Sequence, residues 1–360
     1  MKKVGSPLRV NPLVKLSREV IGVRRILLCL LLSAGVIFGA AAQEQRFLRI
    51  GTGAAADTFF ALGTLLASAI SSPPGSRPCG EGGGCGVPGL IAVAQTSQGA
   101  FANLSAIGAK EIELGLAQAD MADWAYRGVG LYQDKGAIQN LRAIAGLYQV
   151  TVQVVVRRDA GITQIAGLRG KRVSLGPADS GALLEARTIL DAYGLREADL
   201  QARLLPGDLA IDVLREGKID ALFLFGVPPN DKLAELAEAG TIDVLPIEGP
   251  QAAALRAINP VLRDVVLAEG TYPGVPARRS LGIATVLVAS ADLDANLVYG
   301  ITRALWHDTS RALLARGLPR GTVLRMEQAM DGITVPFHPG AARFYQEAGI
   351  KGAGASQGAR

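Results

Sequence analysis

Two stretches constrain the fold of this chain more than any other feature. "ANLSAIGAKEIELGLAQ" and "LAIDVLREGKIDALFLFG" each read as a helix, a turn with a lysine, an acidic residue and an apolar strand. The change from a helical to a two-residue apolar period marks each boundary. One such construction in each half argues for two similar α/β lobes, not for a solenoid.

The same grammar runs through the rest. "RFLRIGTGAAADTFFALGTLLASAI" predicts a strand, a tight turn at Gly51-Thr52-Gly53 and a helix carrying Phe60, Leu62, Leu65, Leu66 and Ile70. "GLIAVAQTS" and "IELGLAQAD" read as strands around the helix "QGAFANLSAIGAK". "TVQVVVRRD" is a β-branched strand, "GITQIAGLRGKRVSLG" a turn, short helix and strand, and "GALLEARTILDAYGL" a helix. Further on, "SLGIATVLVAS" predicts a strand and "DANLVYGITRALWHDTSRALLAR" one long amphipathic helix. Strands alternating with helices predict a parallel sheet covered on both faces. The tail, 351–360, has no periodicity and is expected to fray.

The first 42 residues read as an export signal. Basic residues from Lys2 to Arg25 precede the apolar run "ILLCLLLSAGVIFGAAA", which ends in the small residues an export peptidase needs. The run has signal length and is short for a stable membrane span. Of 37 Lys and Arg and 32 Asp and Glu, seven and one fall in this segment, which leaves 30 against 31. The basic character of the whole chain therefore belongs to the leader, and a nucleic-acid partner is not implied. Removing the leader takes Cys29 with it and leaves Cys79 and Cys85, in "RPCGEGGGCGVPG". An oxidising compartment and the flexible Gly82-Gly83-Gly84 predict a disulfide that stiffens a Pro/Gly-rich loop. A metal site needs more ligands, and no histidine is near in sequence.

The turn in "SLGPADSGALLEARTIL" is the leading candidate for a ligand seat. It lacks the lysine of a phosphate-binding P-loop and the Rossmann spacing, and Gly51-Thr52-Gly53 alone is a weak dinucleotide signal. It also lacks the G-x-S-x-G elbow of a serine nucleophile, and the only possible bases are His307 and His338. His307 sits in a helical pattern, and His338 precedes Pro339 and is expected to order a turn before the last helix. Anion docking on the helix start remains, with Ser180 as a donor and Gly181 allowing close approach to the backbone. The alternative is that Asp179 or Ser180 only caps its own helix. Gln118, at the end of its strand, and Asn103, at the start of the preceding helix, occupy positions where open parallel sheets bind ligands.

The motifs "IGTGAAADTFFALG", "NLSAIGAKEIELGLAQADMADWAYRG", "LRAIAGLYQ", "GLRGKRVSLGPADSGALLEARTIL", "LREGKIDALFLFGVPP", "EGTYPG" and "VPFHPGAARFY" together resemble the TAXI family of solute receptors for tripartite TRAP transporters. The resemblance runs from about Phe47 to Ala348, and the "CGVPGL" loop looks like that of a subgroup. It implies a type II periplasmic binding protein: two Rossmann-like α/β lobes with a ligand cleft between them, joined by crossing strands near Tyr148–Val155 and Leu281–Val288. Lobe 1 would be 43–148 with 286–350, and lobe 2 would be 149–285. Such receptors trap small organic acids, glutamate and dicarboxylates among them, for a sodium-driven membrane complex. The implied ligand surfaces are Thr52, Gly53, Ala54, Asn103, Gln118, Tyr148 and the Ser180-Gly181 turn.

Departures from the family pattern bear on the ligand. Ala54-Ala55-Ala56-Asp57 stands where "GTGG" and small residues are common, and Phe59-Phe60 where a tyrosine pair is common. Pro177-Ala178-Asp179-Ser180-Gly181-Ala182 replaces "PGSGT", and Val227 replaces the tyrosine of "GYP". Asp57 and Asp179 thus stand beside the expected anion seat, where a carboxylate competes for the same donors. Either a ligand less acidic than the family's, or one bearing an ammonium group, is expected, or both acids point to solvent and leave the ligand unchanged. The reading is an exported periplasmic receptor for a small carboxylate or amino acid, partnered with a membrane permease, without catalysis, cofactor or metal. Its alternatives are a ligand sensor for a membrane kinase or chemoreceptor and a serine hydrolase using Ser180.

Overall fold

The computed structural model describes residues 45–350, apart from 56–57, 179, 319–321 and 323. The export signal and the tail lie outside these residues. The chain opens with β1 (Arg46–Gly51) and α1 (Thr58–Ile70). The short parallel pair β2 (Ser71–Ser72) and β3 (Val87–Pro88) flanks the cysteine loop. Then come β4 (Leu90–Gln95), α2 (Ala100–Gly108), β5 (Leu114–Gln118) and α3 (Ala119–Arg127). The 17-residue β6 (Leu141–Arg157) leads into the second half. There follow β7 (Arg172–Ser174), α4 (Gly181–Ala192), β8 (Gln201–Arg203), α5 (Gly207–Arg215) and β9 (Ala221–Gly226). Next are α6 (Asp231–Glu238), β10 (Ile242–Leu245), α7 (Gly249–Ile258), β11 (Arg263–Leu267) and β12 (Arg278–Ser290). The chain closes with α8 (Ala295–Leu305), α9 (Asp308–Gly317) and α10 (Pro339–Glu347).

The strands form one mixed sheet in the order β4-β1-β5-β12-β6-β9-β7-β8. The outer triplets β4-β1-β5 and β8-β7-β9 are parallel, as the strand–helix alternation predicts. Between them β6 and β12 run antiparallel to each other and to their neighbours, which the parallel expectation did not include. Each long strand serves both halves. One edge of β12 pairs with β11 over Arg278–Gly282 and with β5 over Thr285–Ala289. One edge of β6 likewise pairs first with β12 and then with β10, while β9 takes the other edge.

The sequence repeat reappears as a structural one. After α2 the chain turns through Lys110 at φ 61°, and after α5 through Gly217 at φ 71°, with matching backbone hydrogen bonds. The acid that follows is used identically. Glu113 receives the backbone N–H of Arg49 at 2.8 Å and its guanidinium at 2.6 Å; Asp220 receives those of Arg172 at 2.9 and 2.5 Å. Each acid ties the start of one strand to its parallel neighbour. The hydrogen bonds from Arg172 hold the Asp220 carboxyl below the usual carboxylate range.

Helices cover both faces of each half. Leu62, Leu66, Val298 and Ile301 pack over Leu48, Ile50, Leu116 and Leu287, while Leu104 and Ile107 lie with Ala117, Val286 and Val288. In the second half, Leu183, Ala186 and Ile189 pack over Val173, and Ile211, Leu214 and Leu233 over Leu222. Among the described residues, no helix is long and apolar enough to cross a membrane.

The long helix expected over 294–316 is two helices. His307 leaves the helical conformation, at φ −65° and ψ 143°, and its Nδ1 accepts the Thr309 N–H to cap α9. The break also lets Trp306 Nε1 donate to Tyr345 Oη at 2.9 Å, and that hydroxyl donates to Ile144 O at 3.0 Å. Tyr345→Phe leaves two buried polar groups unpaired. It should lower unfolding stability by about 1–3 kcal/mol in urea titrations.

Candidate functional site

The turn after β1 is held from beneath by Asn103. That side chain is 1% exposed, and its Nδ2 donates to Thr52 O at 2.7 Å and to Leu116 O at 2.8 Å. Its Oδ1 accepts from Ser97 Oγ at 2.7 Å. Thr52 Oγ1 donates to Gln95 O at 2.7 Å, so the C-terminal ends of β1, β4 and β5 are bound into one network. Close approach is required: a Cβ on Gly51 would lie 2.5 Å from Asn103 Oδ1. Asn103 lies within the first turn of α2, its amide directed inward, whereas the sequence placed it at the helix start facing a ligand. Gly53 is buried above this network and Ala54 is exposed.

The other expected residues fall at two helix starts. The chain leaves β5 at Gln118 and enters α3 at once, so Ala119 and Asp120, expected to extend the strand, open a helix instead. Gln118 is half-buried and caps α3 without a side-chain bond. Tyr148 is buried in the first half's core. Across the junction, Ser180 caps α4: its Oγ accepts the Leu183 N–H at 3.2 Å and donates to Pro177 O at 2.6 Å. The capping use of Ser180 is therefore present, and the remaining first-turn amides of α4 still point out of the helix start. A Cβ on Gly181 would lie 3.1 Å from Met121 Sδ, so the starts of α3 and α4 touch. Ala119 of α3 packs into the second half's core, and Phe225 and Val227 pack against the first half's. Asp57 and Asp179 lie outside the described residues.

Beside that contact sits a pair of buried carboxyls. Asp120, in the first turn of α3, is 3% exposed; Glu185, one turn into α4, is 1% exposed. Asn259 Nδ2 donates to Glu185 Oε1 at 3.3 Å. Asp120 Oδ1 and Glu185 Oε2 find no donor among the described residues, and the two carboxyls hydrogen-bond to each other. Burial pushes Asp120 up to about 6, although the Met121 N–H and the bond from Glu185 favour its ionised form. Burial, and then the Asp120 charge, push Glu185 well above the usual range. Two carboxylates this close cannot both ionise, so one proton stays between them, donated by Glu185.

The histidines do not serve Ser180. His307 caps α9; His338 caps α10 through Gly340 N–H, bonds Leu293 O at 3.1 Å and is held by burial below its ordinary range. His307 is instead close in space to the cysteines, contrary to the sequence separation. Cys79 and Cys85 form the expected disulfide, with Cα atoms 4.7 Å apart, and His307 Nε2 lies 3.9 Å from Cys79 Sγ. These three ligand atoms fall within 4.8 Å of one another. Because Nδ1 accepts the Thr309 N–H, Nε2 carries the proton and faces sulfur as a donor, an arrangement unsuited to metal ligation.

Two surface hollows, of about 980 and 350 Å³, lie elsewhere. The larger is lined by Arg169, Arg187, Arg196 and neighbouring acids, and Arg169 and Arg187 are paired with Asp199 and Glu197. Neither includes an expected site residue. The starts of α3 and α4 are in contact rather than separated by an open cleft.

A model of the NMT1-like family matches residues 50–349. The chain belongs to the NMT1-like family. Among solved structures, this NMT1-like chain is similar to a TctC solute-binding protein from Polaromonas (15% identity, 84% and 96% of the two chains, TM-score 0.48). It is also similar to the periplasmic aliphatic sulphonate-binding protein SsuA from Escherichia coli (15%, 85% and 94%, 0.42). A third is the alkanesulfonate-binding protein SsuA from Xanthomonas axonopodis pv. citri (18%, 77% and 82%, 0.42). No residue or ligand is carried over at these values.

Four polar residues of the NMT1-like chain escaped sequence reasoning: Asp120, Glu185, Gln153 and Tyr272. Tyr272 of "EGTYPG" donates to Gln153 Oε1 at 2.6 Å and accepts the Asn230 N–H at 3.0 Å, while Gln153 Nε2 reaches Gly226 O at 3.3 Å. Together they fix the segment from Gly226 to Asn230. Burial pushes the Tyr272 hydroxyl up to about 12. Helical spacing offered one signal: Glu185 lies four residues before the buried Ile189.

Asn103→Ala removes the amide donor from Thr52 O, which keeps Ser97 Oγ at 2.9 Å, and from Leu116 O, and should cost about 1–3 kcal/mol in denaturant unfolding. The carboxyl pair sets a pH dependence. Unfolded, both groups lose protons near pH 4; folded, they hold them through about 6 for Asp120 and higher for Glu185. Their penalty is absent below about pH 4 and grows as pH rises. Glu185→Gln should therefore match wild type in thermal unfolding at pH 4. At pH 7 it should exceed wild type by about 1–3 kcal/mol.

Proposed function

We propose that this chain is the extracytoplasmic solute-binding receptor of a TRAP-type transporter of the TAXI class. It captures a small organic acid or amino acid and delivers it to a membrane permease. Lobe 1 comprises 43–148 and 286–350, lobe 2 comprises 149–285, and β6 and β12 are the crossing strands. The observation that supports the reading is the contact between the start of α3, directly after β5, and the start of α4, drawn from the two halves. Open parallel sheets bind ligands at such strand ends.

The ligand would lie between Thr52, Gly53, Ala54 and Gln118 on one side and Ser180 and Gly181 on the other, with Tyr148 at the crossing. First-turn amides at the α4 start suit a carboxylate. Asn103 acts as a positioning residue, because its own polar atoms are bonded beneath the turn. Asp57 and Asp179 favour a ligand that also carries an ammonium group. Their proximity to the seat rests on the sequence alone.

The test is native mass spectrometry of the protein as purified, followed by calorimetry with amino acids, monocarboxylates and dicarboxylates. A retained small acid, with an amine-bearing acid binding tightest, is the expected result. A dicarboxylate without an amine binding tightest contradicts the ammonium assignment. Esterase activity abolished by Ser180→Ala contradicts the receptor reading itself.

A further inference from the structure

We propose that the Asp120–Glu185 pair is a proton site that locks the two halves together, so that closure takes up one proton and opening releases it. The proposal rests on the receptor reading and adds its regulation.

The pair bridges the junction. Asp120 opens α3 directly after β5 of the first half, and Glu185 sits on α4 of the second. The neighbouring contacts at this point are apolar, Gly181 on Met121 and Ala119 in the second half's core. Among the described residues, neither carboxyl is ion-paired to a cation. On α3, Asp123 is bonded to Arg127 and Thr334, and its charge opposes ionisation of Asp120. On α7, Arg256 is paired with Asp264 at 2.7 Å, and beyond it only the neutral Asn259 reaches Glu185. A proton on one carboxyl is therefore the species that can join the pair, since Asp120 Oδ1 and Glu185 Oε2 have no donor among the described residues.

Separating the halves exposes both carboxyls to water, where each ionises near pH 4. Closing them restores the shared proton. Above about pH 6, where the closed pair keeps one proton and the open pair none, the closed-to-open ratio falls about tenfold for each pH unit, and below that more steeply, because Asp120 also keeps its proton in the closed state. The same burial that brings α3 and α4 together thus makes closure weaken as pH rises.

The test is small-angle X-ray scattering of ligand-stripped protein at pH 5 and pH 9, for wild type, Glu185→Gln and Asp120→Asn. The amide keeps the side chain's shape and can donate a hydrogen bond to the partner carboxylate without titrating. Wild type should show a larger radius of gyration at pH 9 than at pH 5, each single variant, which keeps one buried carboxyl, a smaller increase, and Asp120→Asn combined with Glu185→Gln the same radius at both. An equal wild-type radius at the two pH values overturns the proposal, as does a variant that expands like wild type. Should one variant not fold, the other decides. A retained ligand together with a pH-independent radius overturns the lock and leaves the receptor reading standing. An expansion abolished by the combined variant, in a protein that binds no small molecule, supports the lock and counts against that reading.

Discussion

The antiparallel pairing of β6 with β12 is the interaction on which the rest of the structure depends. These are the two longest strands, and each lends one edge to partners from both halves. The parallel triplets could not form one sheet without them. The register shifts between Ala284 and Val286 and between Leu287 and Val288, within the stretch where a crossing was expected. Irregularities of this kind increase local twist and bend a strand. Beside this pair, Ala119 packs into the second half's core, Phe225 and Val227 pack against the first half's, and Met121 lies against Gly181.

Two polar devices at the strand ends have opposite energetic characters. Around Asn103 every donor finds an acceptor inside one half, so the network rigidifies the turn that follows β1. The Asp120–Glu185 pair spans both halves and is satisfied only while it holds a proton. Its unpaired carboxylates would be costly in the closed arrangement and harmless in water. A rigid network beneath the turn and a conditional bridge beside it would suit the receptor proposed above, which holds a ligand and then releases it.

Much of the architecture was legible because it is periodic. The repeat around Lys110 and Gly217, the helix phases and the β-branched strands all follow from local pattern, and the Cys79–Cys85 bridge followed from composition and spacing. Places where the sequence misled share a cause: a partner distant along the chain. His307 breaks a helix that its local pattern would continue, and it lies beside Cys79 through a contact 228 residues long. Asn103 carries the same spacing to Ile107 as any inward-facing residue, yet an asparagine reads as a surface or ligand residue until its carbonyl partners are known. Glu185 reads as solvated until Asp120, 65 residues earlier, is placed against it. The antiparallel centre was hidden because two strands far apart in the chain pair only after both halves have formed.

The central claim is that both halves hold the ligand at the ends of β1 and β5 and the start of α4. Hydrogen–deuterium exchange, comparing protein purified with its retained small molecule against protein stripped of it, tests this most directly. The account predicts slowed exchange, on loading, in the amides of Thr52 to Ala54, Gln118 to Met121 and Ser180 to Leu183 together. Slowed exchange confined to one half, or centred on the Arg169–Arg187 hollow, would contradict it.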